Sequence, residues 1–182
     1  MMPKFHKNPV GSRYIAASIG SSLKMLAKVL TPVLKSVQCE MRRKVNYEFK
    51  FKNTSGFWIA DNSELIRENF SFISNGRGAR NIDCYDFKTL YTNLPHVDLL
   101  DKMCSLIDIV FDSKNVDYVW VSENLKYVSW TKNFKANGHC LNRENVKDLL
   151  EYLLDNIYVE FRGKLYIDRL LEYLWDVIVR LF

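Results

Sequence analysis

The chain has 182 residues, 48% of them hydrophobic and 26% charged, with seven Gly and four Pro. That suits one domain of ordinary size or two small lobes, excludes a disordered composition and leaves enough apolar side chains for a core. The net charge of +5 is unevenly placed: residues 1–52 hold eleven Lys/Arg against Glu40 and Glu48, and residues 53–182 hold fifteen basic against nineteen acidic side chains. A basic lobe joined to a mildly acidic one suits a protein that grips a polyanion on one side.

No run of about 18 apolar residues is present, so a membrane span is not expected. Met1–Gly11 is basic and polar and has no signal-peptide layout, so an intracellular protein, nuclear or cytoplasmic, is the expectation. Cys39, Cys84, Cys104 and Cys140 form no close pair, and a zinc site would want ligands in close pairs. Reduced, mostly buried thiols are the expected state of all four.

In chain order, residues 3–13 read as a basic loop punctuated by Pro and Gly, and Arg13–Ala17 as a short strand leaving it. From Ser21 to about Lys44, Leu23, Leu26, Ala27, Leu30, Val33, Leu34 and Val37 recur at three and four residues, which predicts a long helix. Lys24, Lys28, Lys35, Arg42 and Arg43 fall largely on its other face, and Pro32 is expected to kink or break it. Asn53–Gly56 reads as a turn, and Asp61-Asn62-Ser63 as the cap of a second helix to about Ile73. A loop at Gly76–Gly78, a strand over Ala79–Phe87 and a tight turn over Thr89–Pro95 follow, then a third helix over His96–Phe111.

Tyr118–Ser122 and Leu125–Trp130 alternate and predict a hairpin. Asn142 caps a fourth helix over Val146–Leu154. Ile157–Phe161 and Lys164–Tyr166, parted by Arg162-Gly163, predict a second hairpin, and Ile167–Phe182 carries a final helical pattern. The class is α+β, rich in helix, with short antiparallel strands.

Nucleotidyl transfer needs carboxylates at strand ends to hold two divalent cations, which activate the attacking hydroxyl and neutralise the transferring phosphate. Tyr85-Asp86-Phe87 puts a carboxylate at the end of a predicted strand, and Tyr91 stands five residues on. An aromatic ring there can bar a ribose 2′-hydroxyl. Trp58, Trp120 and Trp130 could stack on bases, although aromatics at such positions more commonly fill cores.

Three strings carry a family resemblance. CYDFKTLYTNLPH (84–96) resembles the first palm motif of reverse transcriptases of the Penelope-like retroelements, of the form D-[FV]-x-[ST]-L-Y-T-x-[IL]-P-H. PKFHKNPVGSRYI (3–15) resembles that group's fingers motif, P-K-x-H-K-x-P-x-G-x-R, and GFWIADNSELI (56–66) its F-W-I-x-D-N-S segment. The helix from Val97 and the NIYVEFRGKLY hairpin (156–166) also fall where that group has them, so the likeness runs in order over residues 3–166.

The resemblance implies a partial right-hand polymerase fold: a fingers-like basic region over 1–80, and an incomplete palm over 81–166 that holds the first catalytic motif. It implies Asp86 as the first metal-binding and catalytic aspartate, with the backbone carbonyl of Phe87 as a further ligand of Mg2+. It assigns Tyr91 to the steric gate and Arg13 to the grip on the incoming triphosphate, assisted by Lys4 or Lys7. An RNA template, a DNA primer and deoxynucleoside triphosphates are the implied partners.

Two family elements are not found in these residues: a Gly-rich palm motif of the form G-I-P-M-G, and an aromatic-x-Asp-Asp turn with the remaining carboxylates. One choice of codons for Ile167–Arg180, read from its third base, encodes R-Q-V-I-G-I-P-M-G-C-D-C-A. Trp175 has a single codon, and it fits the Met-Gly junction of that string. Residues 167–182 are therefore expected to be an out-of-frame tail. Asp83 is a poor substitute for a missing carboxylate, because an odd offset of three turns it to the opposite strand face from Asp86. The expectation is a reverse transcriptase fragment, inactive alone; the alternative is a non-catalytic nucleic-acid-binding remnant that uses the basic region 1–52.

Overall fold

A computed structural model describes residues 2–4, 11–13, 23–52, 58–74, 95–156, 158–161 and 164–167. Its elements are α1 (Lys24–Tyr47), a π-helical turn (Glu48–Lys52), α2 (Ser63–Ser74), α3 (His96–Lys114), β3 (Tyr118–Val121), β4 (Val128–Thr131), β5 (His139–Asn142) and α4 (Arg143–Asp155). Two hairpins flank them in the chain, β1 (Met2–Lys4) with β2 (Gly11–Arg13) and β6 (Tyr158–Phe161) with β7 (Lys164–Ile167). The class is α+β, with one antiparallel three-stranded sheet in the order β4-β3-β5.

The core follows from the apolar spacing of the helices. Leu30, Val33, Leu34 and Val37 of α1 are fully buried, at the three- and four-residue intervals that line one helix face. Leu99, Met103, Ile107, Val110 and Phe111 form the matching stripe of α3, and Val146, Leu150, Leu153 and Leu154 that of α4. In β3 the strand period of two buries Val119 and Val121 and leaves Tyr118 and Trp120 half-exposed. All these buried residues form one cluster, so α1 shares its core with elements more than fifty positions further along the chain. Removing each large side chain from water contributes about 1.5–3 kcal/mol, which is what holds the helices on the sheet.

The caps are written in the sequence. Asn142 accepts from the Asn145 N–H at 2.7 Å, and the Asn145 side chain accepts from the Asn142 N–H at 3.3 Å, a reciprocal capping box. Asn62 likewise accepts from the Leu65 N–H at 2.9 Å at the start of α2. At the end of α3, Asn115 takes a left-handed conformation (φ 51°), its N–H donating to Asp112 O and the Val116 N–H to Phe111 O. Asn tolerates that region because its short polar side chain lowers the cost.

Several expectations need correction. α1 runs unbroken through Pro32. The proline deprives only the carbonyl of Lys28, an exposed residue on the solvent side of the helix, and the Thr31 hydroxyl donates to Ala27 O at 2.6 Å one turn back. Within the segment read as an N-terminal loop, β1 and β2 pair antiparallel with Lys4 opposite Gly11 and Met2 opposite Arg13. A third strand, β5, joins the predicted hairpin on the other side of β3. β4 begins at Val128 rather than Leu125, which has positive φ (59°) and closes the turn with its N–H donating to Ser122 O at 2.8 Å. Cys39, Cys104 and Cys140 are unpaired and half-buried rather than buried, and Cys84 lies outside the described residues.

The predicted helices over 61–73, 96–111 and 146–154 and the hairpin over 157–166 stand within a few residues of α2, α3, α4 and β6–β7. Ile167, expected to open the tail, pairs with Tyr158 at the end of β7. The predicted strand over Ala79–Phe87 and the turn after it lie outside the described residues, as do the strand residues Tyr14–Ala17 and the helical pattern beyond Ile167. No described helix is long and apolar enough to cross a membrane.

Candidate functional site

The expected nucleotidyl-transfer residues divide between described and undescribed parts of the chain. Asp86, Phe87, Tyr91 and Lys7 lie outside the described residues. Lys4 and Arg13 stand on the two paired strands of the first hairpin, where the register brings their backbones close: Lys4 faces Gly11, and Arg13 lies two positions beyond on the same strand. Among the described residues no group of three or more His, Cys, Asp or Glu side chains could hold a metal ion.

α1 organises what surrounds these segments. Near its C-terminus Asn46 makes a two-way amide bridge to Ile59, its Nδ2–H donating to Ile59 O and its Oδ1 accepting from the Ile59 N–H, each at 2.8 Å. One turn earlier Arg42 is ion-paired with Asp61. The F-W-I-x-D-N-S segment is thus tied to α1 by a backbone-reading amide and a charge pair. Sequence reasoning missed both tethers, because neither Asn46 nor Arg42 belongs to a motif.

The tryptophans separate by role. Trp130 stands edge-on to Phe111 with ring centroids 5.1 Å apart, and its Nε1–H donates to Ser36 Oγ at 2.9 Å. It therefore joins the sheet to α1 and is not free to stack on a base. Trp120 lies on the outer face of β3 under the β4–β5 loop: Lys135 Nζ sits 4.9 Å from its ring centre and its Nε1–H donates to Asn137 O. Phe134 of the same loop, two-thirds exposed, makes an edge contact with Tyr118 of β3. Trp58 is half-buried beside the bridged Ile59.

On the far side of the core a charge network joins α3 and α4. Lys147 Nζ lies 2.8 Å from Asp108 Oδ1 and 3.6 Å from Glu144 Oε1, and Arg143 is ion-paired with Asp112 and lies 3.5 Å from Asp108. The Asp108 carboxylate holds the Lys147 ammonium protonated above the usual lysine range, and Asp112 does the same for the Arg143 guanidinium. Burial pushes the Cys104 thiol up, against the opposing pull of the Lys147 charge. This network fastens α4 to α3, and a thiol held protonated is a poor nucleophile.

On α1 the matching is partial: Arg42 and Arg43 have carboxylate partners, and three lysines do not. Lys24, Lys28 and Lys35 of α1 are exposed, and none lies within ion-pair distance of a carboxylate among the described residues. Compared with protein-family models, curated proteins and solved structures, the chain matches none of them.

Proposed function

We propose that this chain carries the fingers and early palm of a reverse transcriptase of the Penelope-like group, an RNA-directed DNA polymerase. The observation that carries the reading is the string CYDFKTLYTNLPH, which sets Asp86, Tyr91 and the start of α3 in the order that a first palm motif requires. Two features of the fold are compatible with it. A helix follows that string directly, and the hairpin β6–β7 follows α4 where the resemblance expects it. The pairing of β1 with β2 supports a shared phosphate-binding role for Lys4 and Arg13 by bringing their backbones onto adjoining strands.

In this reading Asp86 and the Phe87 carbonyl would hold Mg2+, Tyr91 would gate the sugar, and Arg13 with Lys4 or Lys7 would neutralise the triphosphate. When bound, the metal would activate the primer hydroxyl. One motif carboxylate cannot clamp two cations, so residues 1–182 alone are expected to be inactive. The reading also takes 167–182 as out of frame.

Primer extension on an RNA template with magnesium tests it, comparing the chain as it stands with one whose frame is restored after Tyr166. Extension by the restored chain, abolished by Asp86→Asn in that background, is the expected result. No extension by the restored chain would count against the polymerase reading, as would codons for 167–180 that cannot yield G-I-P-M-G in the shifted frame.

A further inference from the structure

We propose that the solvent face of α1 is a docking surface for the phosphate backbone of a nucleic-acid duplex, centred on Lys24, Lys28 and Lys35. This inference does not rest on the polymerase reading, since none of the three motif strings falls on α1. At 100° per residue the three lysines fall within about 40° of arc, spread over about 17 Å of helix axis. They lie opposite the face that Leu30, Val33, Leu34 and Val37 bury.

Their alignment on one face separates them from Lys44, Lys126 and Lys132, which also lack a carboxylate partner among the described residues but stand apart from one another. Each arginine whose side chain is described, Arg42, Arg43, Arg67 and Arg143, has a carboxylate partner. Glu40, the single acidic residue of α1, points away from the stripe and is taken by Arg43 and Lys114, at 2.9 and 3.0 Å. Among the described residues the stripe is an uncompensated line of positive charge on a rigid rod, and a line of that kind attracts a polyanion of matching length.

The surroundings select the polyanion. Leu30, Val33, Leu34 and Val37, the centre of the apolar face of α1, are taken up by the core with no exposure, so the helix cannot bury that face in a lipid surface as an interfacial helix must. Thr31 and Gln38 flank the lysines, and the one aromatic residue of α1, Tyr47, is its last, so α1 itself offers no ring beside the lysines on which an unpaired base could stack. A duplex needs no such ring: it presents one charge per ~1.7 Å of axis along the same length, and backbone contacts alone give sequence-independent binding. Arg42 would continue the line one more heptad, and Asp61 neutralises it there.

The test is binding of the 182-residue chain to a fluorescent DNA duplex of arbitrary sequence, followed by anisotropy across about 50–200 mM salt. Substituting Lys24→Gln, Lys28→Gln and Lys35→Gln together is expected to lower the slope of log affinity against log salt by about 2–3. Removing two charges elsewhere, by Lys126→Gln with Lys132→Gln, is expected to leave it unchanged. Asp61→Asn, which releases Arg42, is expected to steepen the slope by about 1 and tighten binding, a gain that damage to the fold cannot mimic. Binding is read on the 182-residue chain without any polymerase assay, so failure of primer extension by the frame-restored chain would leave these values unchanged, and the two readings can be told apart. The inference is overturned if the triple variant keeps the parent slope, or if the Lys126/Lys132 variant loses as much. It is equally overturned if a single strand binds as tightly per phosphate, or if the stripe drives binding to anionic lipid vesicles and not to duplex.

Discussion

Gly138 is the residue at which backbone freedom matters most. It has φ +96°, and a Cβ there would collide with the Val121 carbonyl oxygen and come within 3.0 Å of the Trp120 indole nitrogen. The β4–β5 loop can lie on β3, with Lys135 and Asn137 engaging Trp120, only because no side chain intervenes. Gly138→Ala is therefore expected to cost about 1–3 kcal/mol and to lift the loop from Trp120. Chemical denaturation read by tryptophan fluorescence measures both effects, and an unchanged midpoint would contradict the account. Asn142 and Asn62 show the other kind of residue-scale determinant, in which side-chain chemistry alone marks a helix start and the fold adds little to it. Leu125 is a third kind. Nothing in its side chain favours positive φ, and the turn imposes it through the Ser122 hydroxyl, which accepts from the Tyr127 N–H and donates to Asn124 Oδ1.

Between elements, the α3–α4 contact combines an apolar seam with a charge network at its edge. Asp108 faces both Lys147 and Arg143, so Asp108→Ala would remove a shared partner and leave two cations side by side. These side chains are partly exposed, which limits the loss to about 1 kcal/mol. The pH dependence has a definite sign. Lys147 is held protonated by Asp108, so its contribution is complete below the ordinary lysine value of about 10.4 and drains away as pH rises through the higher folded value. Thermal melts of parent and Asp108→Ala should differ most at neutral pH and converge in strong alkali; a difference that grew with pH would rule this out. Element-scale features were legible where they are local. The apolar spacing announced α1, α3 and α4, and alternation announced β3. β5 was not legible, because HCLN is too short and too polar to declare itself and is held by its ladder with β3.

At the scale of the molecule, α1 belongs to the same core as α3, α4 and β3, and Trp130 bonds to Ser36 across 94 positions of sequence. The described core should therefore unfold in one step. Leu34→Ala, at a fully buried site facing that core, is expected to cost about 2–5 kcal/mol. Fluorescence of the tryptophans and far-ultraviolet dichroism of the helices should shift together, and transitions that separate would show α1 to be an independent unit.

The sequence by itself determined most of the helices, the caps of α2 and α4 and the hairpins on either side of α4, because spacing, capping chemistry and turn residues act over a few positions. It also supplied the motif string around Asp86, which no described contact replaces. Only the tertiary structure decided that Asn46 and Arg42 hold the segment at 58–61, that Trp130 serves the core while Trp120 lies under a loop, and that three lysines of α1 stay uncompensated. Each of these depends on which distant side chain arrives alongside. That outcome is set by the burial of apolar faces in a shared core, and a local pattern does not contain it.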